Sequence, residues 1–277
     1  MTHNEIRLEI NSVLASYILT GFIHSETSRA GFDRAVVGLS GGVDSALTCL
    51  LAAEALGPEN VLAVRMPYAT SSPESLEHAE LMIKMTGVKD VTLPITDAAN
   101  VLLDGIPEDQ QVRRGNVMAR MRMIVLFDQS ADFGGLVIGT GNKTELLLGY
   151  TTQFGDAASA ISPLGDLYKT QVWQLAAEMD VPEVIQEKAP SADLWIGQTD
   201  ESELGFTYKE VDRLLYLLVD RRHSPEDCVE AGFDRKFVET IVALVQRNHF
   251  KRVMPPIAKL SNRTIGYDFL YMRDWGT

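Results

Sequence analysis

One hexapeptide constrains this chain more than any other feature, the segment Ser40-Gly41-Gly42-Val43-Asp44-Ser45. It directly follows an apolar run over residues 35–39, which predicts a buried strand. It opens a pattern over residues 44–56 that predicts a helix closed by Gly57-Pro58. Adjacent glycines let the backbone approach an anion closely, and the free N–H groups of a helix start favour phosphate. The segment therefore predicts a phosphate-binding loop at a strand–helix junction.

The side chains of this loop indicate how it would bind phosphate. Ser40 and Ser45 add hydroxyl donors, but the G-x-x-x-x-G-K-[ST] pattern of a Walker A loop is absent from the sequence. Without that lysine, the loop must hold phosphates through backbone, hydroxyls and a metal. Asp44, a carboxylate beside the loop, is then a natural Mg²⁺ ligand. The plain alternative is a glycine turn that only caps the helix.

Strand and helix patterns alternate along the first half of the chain. Continuous apolar runs predict three further strands, and helical spacing predicts helices before, between and after the strands. The strands are expected at 61–66, 91–95 and 136–139, and the helices at 6–22, 73–86 and 112–133. Continuous apolar strands separated by helices are typical of a parallel, doubly wound α/β sheet with both faces covered.

Beyond Tyr168 the pattern is helical, with helices expected at 168–179, 208–220 and 235–248. We therefore expect one domain over residues 1–277, with a parallel-sheet core over 1–167 that carries the loop and a helical extension over 168–277. Residues 190–206 are polar and contain Gly197 and Gly205. A long loop of this kind in a compact domain is often a lid over a site.

Composition excludes several classes of function. The formal net charge is -13 with a sequence pI of about 4.8, which argues against non-specific nucleic-acid binding through basic patches. No run approaches the roughly 18 apolar residues of a membrane span, and the N-terminus lacks a signal-peptide pattern. The two cysteines, Cys49 and Cys228, form no C-x-x-C or metal-ligand spacing. A reducing, cytoplasmic setting is expected.

The loop resembles the PP-loop of the N-type ATP pyrophosphatases, which split ATP between its α and β phosphates. Further segments resemble the NAD synthetases of that family, occur in the family's order and cover nearly the whole chain. They are Met66-Pro67-Tyr68 with Ser71-Ser72, Asn116–Arg120, Gly139–Glu145, Phe154–Asp156, Pro163–Thr170 and Phe250–Arg252 with Pro255-Pro256. Each segment alone is a weak signal, whereas the ordered set is specific.

The resemblance implies a role for each matching residue. Mg²⁺ would be shared by Asp44 and Glu145, and the substrate deamido-NAD would be contacted by Arg120 and Lys251. No residue is assigned as a general base. The ATP-binding residues implied are Gly38, Leu39, Ser40, Gly41, Gly42, Val43, Asp44, Ser45, Arg65, Thr140, Lys169 and Ser191.

Elementary physics supports some of these roles and leaves plainer alternatives open. Thr140 and Glu145 follow the fourth strand, and ligands of open α/β sheets bind beyond the carboxyl ends of strands. Lys169 lies near a helix start, where the dipole disfavours a cation, so a phosphate partner would explain it. Glu145 is also consistent with ordinary first-turn helix charge. Lys169 and Lys251 are also consistent with surface charge, and Arg120 with a pair to an acidic neighbour on the long helix.

The implied reaction is the ATP-dependent amidation of deamido-NAD to NAD. Ammonia would attack an acyl-adenylate, with release of AMP and pyrophosphate. The chain has no room for the extra glutaminase domain of glutamine-using relatives. A homodimer is expected by resemblance, and because the 112–133 helix is apolar on more than one face, at Val117, Met118, Met121, Ile124, Val125 and Phe127.

Three positions depart from the NAD synthetase pattern. Gln153 replaces a usual lysine, Ala160 a usual aspartate, and Phe250 a frequent histidine. In many relatives the first two positions contact the dinucleotide, so a PP-loop enzyme that amidates or thiolates another acceptor stays open. A thiolating enzyme would carry catalytic cysteines and a basic surface. A non-catalytic ATP-binding module is the third possibility, and it would need neither Glu145 nor Lys169.

Overall fold

Four short apolar strands form the centre of the molecule. They are β1 Ala35–Gly38, β2 Val61–Arg65, β3 Lys89–Thr92 and β4 Leu136–Ile138, and all pair in parallel in the order β3-β2-β1-β4. The structure is a computed structural model that describes residues 6–195 and 197–269. The parallel, doubly wound sheet expected from the sequence is confirmed.

The strand order creates a switch point between β1 and β4. The chain winds outward from β1 through β2 to the edge strand β3, and then crosses back to the other side of β1 to form β4. The strands that precede and follow this crossover therefore lie on opposite sides of β1. Open α/β sheets bind ligands in the crevice beyond the carboxyl ends of their strands at such a point.

Both faces of the sheet are buried, as continuous apolar strands require. Alternate residues of β1 and β2 point to opposite faces, because the side-chain period of a strand is two. Ala35, Val37 and Ala63 join one core with the helices that follow β1 and β2, whereas Val36 and Val64 join the other. The sheet is therefore the middle layer of three.

Twelve α-helices surround the sheet in the part of the chain that the structure describes. They are α1 Ser12–Arg29, α2 Val43–Leu56, α3 Pro73–Thr86, α4 Thr96–Leu103, α5 Gln111–Phe133, α6 Lys143–Leu148, α7 Lys169–Glu178, α8 Glu183–Gln186, α9 Asp200–Leu204, α10 Tyr208–Leu215, α11 Pro225–Glu230 and α12 Arg235–Arg247. A π-helical turn, Tyr216–Asp220, extends α10, and a 3-10 turn, His249–Arg252, follows α12.

Two predicted elements have different bounds in the structure. The first helix spans Ser12–Arg29 rather than 6–22, and it begins at Ser12 because Asn11 caps it by accepting the Leu14 N–H at 3.0 Å. The third strand begins at Lys89 and ends at Thr92, two to three residues earlier than the apolar run at 91–95. This strand lies at the edge of the sheet, where its register follows pairing with β2 rather than burial.

The helices after residue 168 form a second hydrophobic core beside the sheet. Tyr208, Val211, Leu214 and Ile241 are buried in it. Helix α7 belongs to both cores, because its Val172, Leu175 and Ala176 pack with α2 and the sheet while Tyr168, just before it, packs with α10 and α12. The helical extension is thus joined to the sheet through α7.

Some of the sequence predictions extend past the described residues. The sheet core expected over 1–167 includes residues 1–5, the helical extension over 168–277 includes residues 270–277, and the lid over 190–206 includes Ile196. These residues lie outside the described ranges, as do both ends of the single domain expected over 1–277. Among the residues that are described, no helix combines the length and hydrophobicity needed to cross a bilayer.

Candidate active site

The loop between β1 and α2 is organised by its two serines. The Ser45 hydroxyl donates to the Gly42 carbonyl at 2.9 Å and accepts from the Ser40 N–H at 3.1 Å. The hydroxyls of Ser40 and Ser45 are 3.0 Å apart. Gly42 is the N-cap of α2 and receives no side-chain cap. The N-terminus of α2 therefore keeps its positive end available for an anion.

Gly41 is required by the close packing of this loop against α3. Its φ is +79°, and a Cβ at this position would lie 2.1 Å from the Ser75 carbonyl oxygen. Any side chain would push the loop away from α3. Of the two adjacent glycines, Gly41 is thus the one that the turn and the close approach of the loop backbone to α3 require.

Asn142 joins the two carboxylates that the sequence assigns to a metal. Its side-chain amide donates to Asp44 Oδ1 at 2.9 Å. It also caps α6 by accepting the Glu145 N–H at 3.0 Å, while Glu145 Oε2 accepts the Asn142 N–H at 3.2 Å. This reciprocal capping box fixes the Glu145 side chain at the carboxyl end of β4, opposite Asp44 at the carboxyl end of β1.

Lys169 is the cation of this group. Its ammonium is hydrogen-bonded to Asp44 Oδ2, lies 3.8 Å from Glu145 Oε1, and sits over the Tyr208 ring at 5.4 Å from the centroid. Burial alone would lower the Lys169 pKa, but Asp44 and Glu145 outweigh it and raise that pKa. The lysine is therefore held charged beneath the loop.

Burial raises the Glu145 pKa to about 8, with the Asp44 carboxylate as the second cause. If both carboxylates were ionised, the single ammonium would leave a net negative charge in a poorly hydrated place, so without a cation Glu145 keeps its proton. A divalent cation would relieve that charge, and oxygen ligands from one or two carboxylates completed by phosphates are typical of Mg²⁺ sites. The donor set fits Mg²⁺, although the described residues contain no group of three or more His, Cys, Asp or Glu that could hold a metal alone.

A buried aspartate from the helical extension anchors this arrangement. Asp212 of α10 is fully buried and accepts the Thr144 hydroxyl at 2.6 Å, the Thr170 N–H at 2.8 Å and the Thr170 hydroxyl at 2.8 Å. The Thr144 hydroxyl in turn accepts the Lys169 N–H at 3.0 Å. Asp212 thereby connects the starts of α6 and α7, which carry Glu145 and Lys169.

A cleft of about 600 Å³ opens at the carboxyl ends of the strands and collects most of the predicted residues. Of the residues expected to bind ATP, metal or substrate, those lining it are Gly38, Leu39, Ser40, Gly42, Val43, Asp44, Ser45, Thr140, Glu145, Lys169, Ser191 and Lys251. Residues from the ends of β1 and β4 and from the helices α2, α6 and α7 thus meet at one place.

Arg65 and Arg120 lie elsewhere. Arg65 is not among the described residues that line the cleft, and its guanidinium pairs with Glu80 at 2.6 Å and with Asp90. Arg120 lines a shallow groove beside the cleft and donates to the Gln153 carbonyl at 3.2 Å. Asn116 lines both the groove and the cleft, so the two are contiguous. Contact of either arginine with a substrate stays a prediction.

Lys251 both holds the backbone after α6 and lines the cleft. Its ammonium donates to the carbonyls of Gly149 at 2.6 Å and Thr151 at 2.8 Å, and it lines the cleft. Gln153 and Phe250, two of the positions that depart from the family pattern, are adjacent here, since the Gln153 amide donates to the Phe250 carbonyl at 3.4 Å. The predicted substrate side thus lies around α6 and the 3-10 turn.

The polar segment after Pro190 lies against the cleft. The Asp193 carboxylate accepts the Ser72 N–H at 3.1 Å and the Ser75 hydroxyl at 3.1 Å, which ties the segment to the start of α3. Leu194 packs so closely on α5 that a Cβ at Gly115 would lie 2.8 Å from its Cδ1. The segment also contains the short helix α9, which the sequence did not indicate.

Sequence reasoning missed several residues of the site. Asn142 could have been found, because Asn142 with Glu145 three residues later is a capping-box pattern. Asp212 gave a weaker signal, an acidic residue within the apolar stripe of Tyr208, Val211 and Leu215. Asp200, buried and bonded to the Tyr208 hydroxyl at 2.9 Å, gave none.

Comparison with known proteins gives one consistent result. A sequence profile of the NAD synthase family matches residues 16–255. The chain is 58% identical over 270 residues to an NH(3)-dependent NAD(+) synthetase of Trichlorobacter lovleyi, and the match covers 98% of this chain and 99% of that protein.

Two solved structures share the fold over most of both chains. An NMN synthetase from Francisella tularensis matches with a TM-score of 0.80 and 33% identity, covering 90% of this chain and 99% of that one. An NH3-dependent NAD synthetase from Campylobacter jejuni, in complex with nitrate, matches with a TM-score of 0.77 and 30% identity, covering 91% and 100%.

Proposed function

The chain belongs to the NAD synthase family, and from that premise we propose that it uses ATP and ammonia to convert deamido-NAD into NAD. The reaction passes through an acyl-adenylate and releases AMP and pyrophosphate. The observation that carries this proposal is the lysine-free loop at the end of β1 with Asp44, Glu145 and Lys169 gathered at its mouth.

The reaction has two steps that this site can bring together. A carboxylate oxygen of deamido-NAD attacks the α-phosphorus of ATP, and the bond from that phosphorus to pyrophosphate breaks. Ammonia then attacks the acyl carbon, the bond to AMP breaks, and the surplus proton leaves to solvent. Holding the reactants in place contributes about 7–11 kcal/mol toward such barriers, so a strong general base is not required.

We assign the phosphate cradle to Gly38–Ser45, with Thr140, Lys169 and Ser191 as further ATP contacts that line the same cleft. Lys169, buried and charged, faces the phosphates from below the loop. Asp44 and Glu145 would hold Mg²⁺. When bound, the ion neutralises charge on the departing pyrophosphate. For Arg65 to contact ATP, its guanidinium would have to break its ion pairs with Glu80 and Asp90.

On the acceptor side we assign Arg120 and Lys251 to deamido-NAD. The cleft and the Arg120 groove meet at Asn116, so a dinucleotide that begins at the loop can extend toward Arg120. We also propose that residues 190–206 act as a lid. Their contacts with α3 and α5 cover the cleft and would keep water from the acyl-adenylate.

Free ammonia is proposed as the direct nitrogen source. The match to relatives named NH(3)-dependent NAD(+) synthetases covers nearly their whole length, which supports a chain that works without a glutaminase unit. The two cysteines, Cys49 and Cys228, are buried free thiols and so lack the exposure of a catalytic thiol. They also suit a reducing compartment, and we propose a cytoplasmic enzyme.

A homodimer is proposed through α5. Of the residues named from the sequence, Met118 is buried against α4, and Val125 packs on the sheet. Ile124 and Phe127 remain exposed, at 53% and 42%, as does Val112 at the start of the helix. An exposed apolar face of this kind on a long helix suits a second copy of the chain.

A second acceptor is favoured by two specific observations. The Francisella protein with the same fold is an NMN synthetase, and Gln153 and Ala160 depart from the usual lysine and aspartate. The competing candidate is therefore deamido-NMN, the carboxylate from which amidation gives NMN. Both acceptors share the reacting carboxylate, so they use the same ATP machinery.

The test is product analysis with purified protein, ATP, Mg²⁺ and saturating ammonium, with each acceptor alone and both together. We expect NAD as the product and a kcat/KM for deamido-NAD more than about tenfold above that for deamido-NMN, equivalent to about 1.4 kcal/mol from the additional nucleotide contacts. A preference for deamido-NMN would show that deamido-NMN is the acceptor, while ATP-dependent amidation through an acyl-adenylate would still hold. Efficient glutamine-driven synthesis would contradict the ammonia assignment.

A further inference from the structure

Arg122 is a cleft-lining cation that no role described above uses. It lies on α5, and its Nε donates to the Met66 carbonyl at 3.2 Å. Within the described part of the chain this is its only hydrogen bond, and no carboxylate oxygen lies within 4.0 Å of its guanidinium. A guanidinium carries five N–H donors, so both Nη groups have no protein partner there.

The surroundings make this arrangement costly. Removal from water lowers the Arg122 pKa, and the two carboxylates that act against this, Asp193 and Asp156, do so only from a distance. Each of them is engaged elsewhere, Asp193 with Ser72 and Ser75, and Asp156 with the Thr152 N–H at 2.7 Å. A partly buried guanidinium whose Nη groups have no protein partner, on the lining of a cleft, suits an anionic ligand.

Other arginines of the same helix are placed differently. Arg114 uses its guanidinium to donate to the carbonyls of Leu103 and Ile106, and so ties α5 to α4. Arg113 is exposed, and among the described residues its side chain donates a hydrogen bond to Gln110. Arg122 alone among these three lines the cleft. Its position thus favours a ligand rather than the packing of helices.

The position of Arg122 identifies which part of a substrate it would meet. The Met66 carbonyl follows β2, next to the loop that follows β1. Asp193 lies on the side of the loop and α3, where ATP is placed. Asp156 lies on the side of Lys251, where the acceptor is placed. The guanidinium is therefore situated between the two substrates.

We propose that Arg122 binds the α-phosphoryl group of ATP, and then the same phosphate in the acyl-adenylate, through its two Nη groups. This inference rests on the proposed function. In the first step the acceptor oxygen bonds to the α-phosphorus as pyrophosphate departs, and in the second step AMP departs as the acyl carbon binds ammonia. The same phosphate oxygens stay on the planar fork of the guanidinium throughout.

The test compares AMP with adenosine, which differ by this phosphate. Equilibrium affinities are measured by calorimetry without turnover, for the unmodified enzyme, Arg122→Gln and Arg122→Lys. The unmodified enzyme should bind AMP more tightly than adenosine. Arg122→Gln should lose about 10- to 100-fold in AMP affinity, as expected for a charged hydrogen bond, and nothing in adenosine affinity. Arg122→Lys should lose less, since it keeps the charge without the fork.

A second arm compares deamido-NAD with NAD, which differ by the reacting carboxylate. If Arg122 binds the acceptor carboxylate instead, Arg122→Gln will reduce the preference for deamido-NAD over NAD and leave the affinity for AMP unchanged. That result would overturn the proposal. An unchanged preference for AMP over adenosine in Arg122→Gln also overturns it. If the unmodified enzyme binds AMP but forms no NAD, the proposed function fails and the AMP result still decides the role of Arg122.

Thermal unfolding separates a ligand role from a structural one. Without nucleotide, Arg122→Met should unfold at the same or a higher temperature than the unmodified chain, because it removes a partly buried charge that has no carboxylate partner. Its stabilisation by AMP should be smaller. Arg113→Gln, a charge-matched control on the same helix, should keep the AMP affinity. A large drop in the unfolding temperature of Arg122→Met would mean that Arg122 serves the fold, against the proposal.

Discussion

At the scale of single residues, Asp44 lies in the first turn of α2 and also lines the cleft. It is the second residue of α2, where any acidic side chain suits the helix dipole. Unlike an ordinary first-turn aspartate, it binds both the Asn142 amide and the Lys169 ammonium. These contacts aim its carboxylate at the mouth of the loop rather than at the helix end.

Asp44→Ala should therefore reduce turnover by about 10²-fold or more, because it removes a metal ligand and its charge. The measurement is the initial rate of pyrophosphate release at saturating ATP and Mg²⁺. Asp97→Ala is the matched control, since Asp97 is the second residue of α4 and lies away from the cleft. Equal, small effects of both substitutions would show that Asp44 only stabilises its helix.

Glu145 makes the stability of the nucleotide-free protein depend on pH. Its pKa is about 8 in the folded chain against 4.5 for an unperturbed glutamate, so between these values the folded state holds a proton that the unfolded state has lost. The free energy of unfolding should then fall as pH rises from about 4.5 to about 8, by at most about 1.4 kcal/mol per pH unit from this group. Urea unfolding across this range without Mg²⁺ measures it.

The effect is isolated by substitution. Glu145→Gln should flatten the pH dependence, whereas Glu210→Gln should not, because Glu210 occupies the same third position in α10 but is exposed. Added Mg²⁺ should stabilise the unmodified protein most at high pH, where Glu145 is ionised. A pH dependence of unfolding that is the same with glutamine at position 145 would contradict the account of this carboxylate.

At the scale of secondary-structure elements, the site depends on how α6 and α7 are held together. Asp212 reaches from α10 to both of them and has three donors within hydrogen-bonding distance. Asp212→Ala should cost about 2–4 kcal/mol of stability, because it leaves buried donors unpaired. It should also lower kcat at temperatures where the variant remains folded, since Lys169 and Glu145 lose their anchor.

Two comparisons separate positioning from stability in this prediction. Asp212→Asn keeps one acceptor oxygen for Thr170 and should recover part of both losses. Asp227→Ala removes two exposed hydrogen bonds to Ser224 at the start of α11 and should lower stability less than Asp212→Ala does, without changing kcat. If the kcat of folded Asp212→Ala equals that of the unmodified enzyme, Asp212 only stabilises the fold and does not position the site.

Strands and long helices were largely predictable from the sequence, and short elements were not. The helix at 73–86 and the strands at β1, β2 and β4 have strong periodic or continuous apolar signals that burial preserves. Helices such as α6 and α9 are five or six residues long, too short for a periodic signal. The residues that line the loop were predicted, but Arg122 and Asp212 depend on contacts across more than 40 residues of chain.

At the scale of the whole molecule, we propose one domain over 1–277, with the sheet core at 1–167 and the helical extension at 168–277. Helix α7 contributes to both hydrophobic cores, and Asp212 joins the extension to the site. We therefore expect the two parts to unfold together in one transition, followed by far-ultraviolet circular dichroism and tryptophan fluorescence. Two separate transitions would show that the extension folds independently.

The proposed homodimer is tested by light scattering at micromolar concentration. Ile124→Glu should give a monomer, because it places a charge on the exposed apolar face of α5. Tyr17→Glu is the control, since Tyr17 belongs to a second exposed apolar stripe on α1 with Val13, Leu14 and Ile18. A monomeric unmodified protein would contradict the dimer, and dissociation by Tyr17→Glu alone would move the interface to α1.

The central claim is that this cleft activates a carboxylate by splitting ATP between its α and β phosphates. The most direct measurement is phosphorus-31 NMR of a reaction with ATP, Mg²⁺, ammonium and deamido-NAD, with NAD quantified in the same sample. We expect AMP, pyrophosphate and NAD to appear in equal amounts. ADP and inorganic phosphate as the nucleotide products would contradict it, whatever the acceptor.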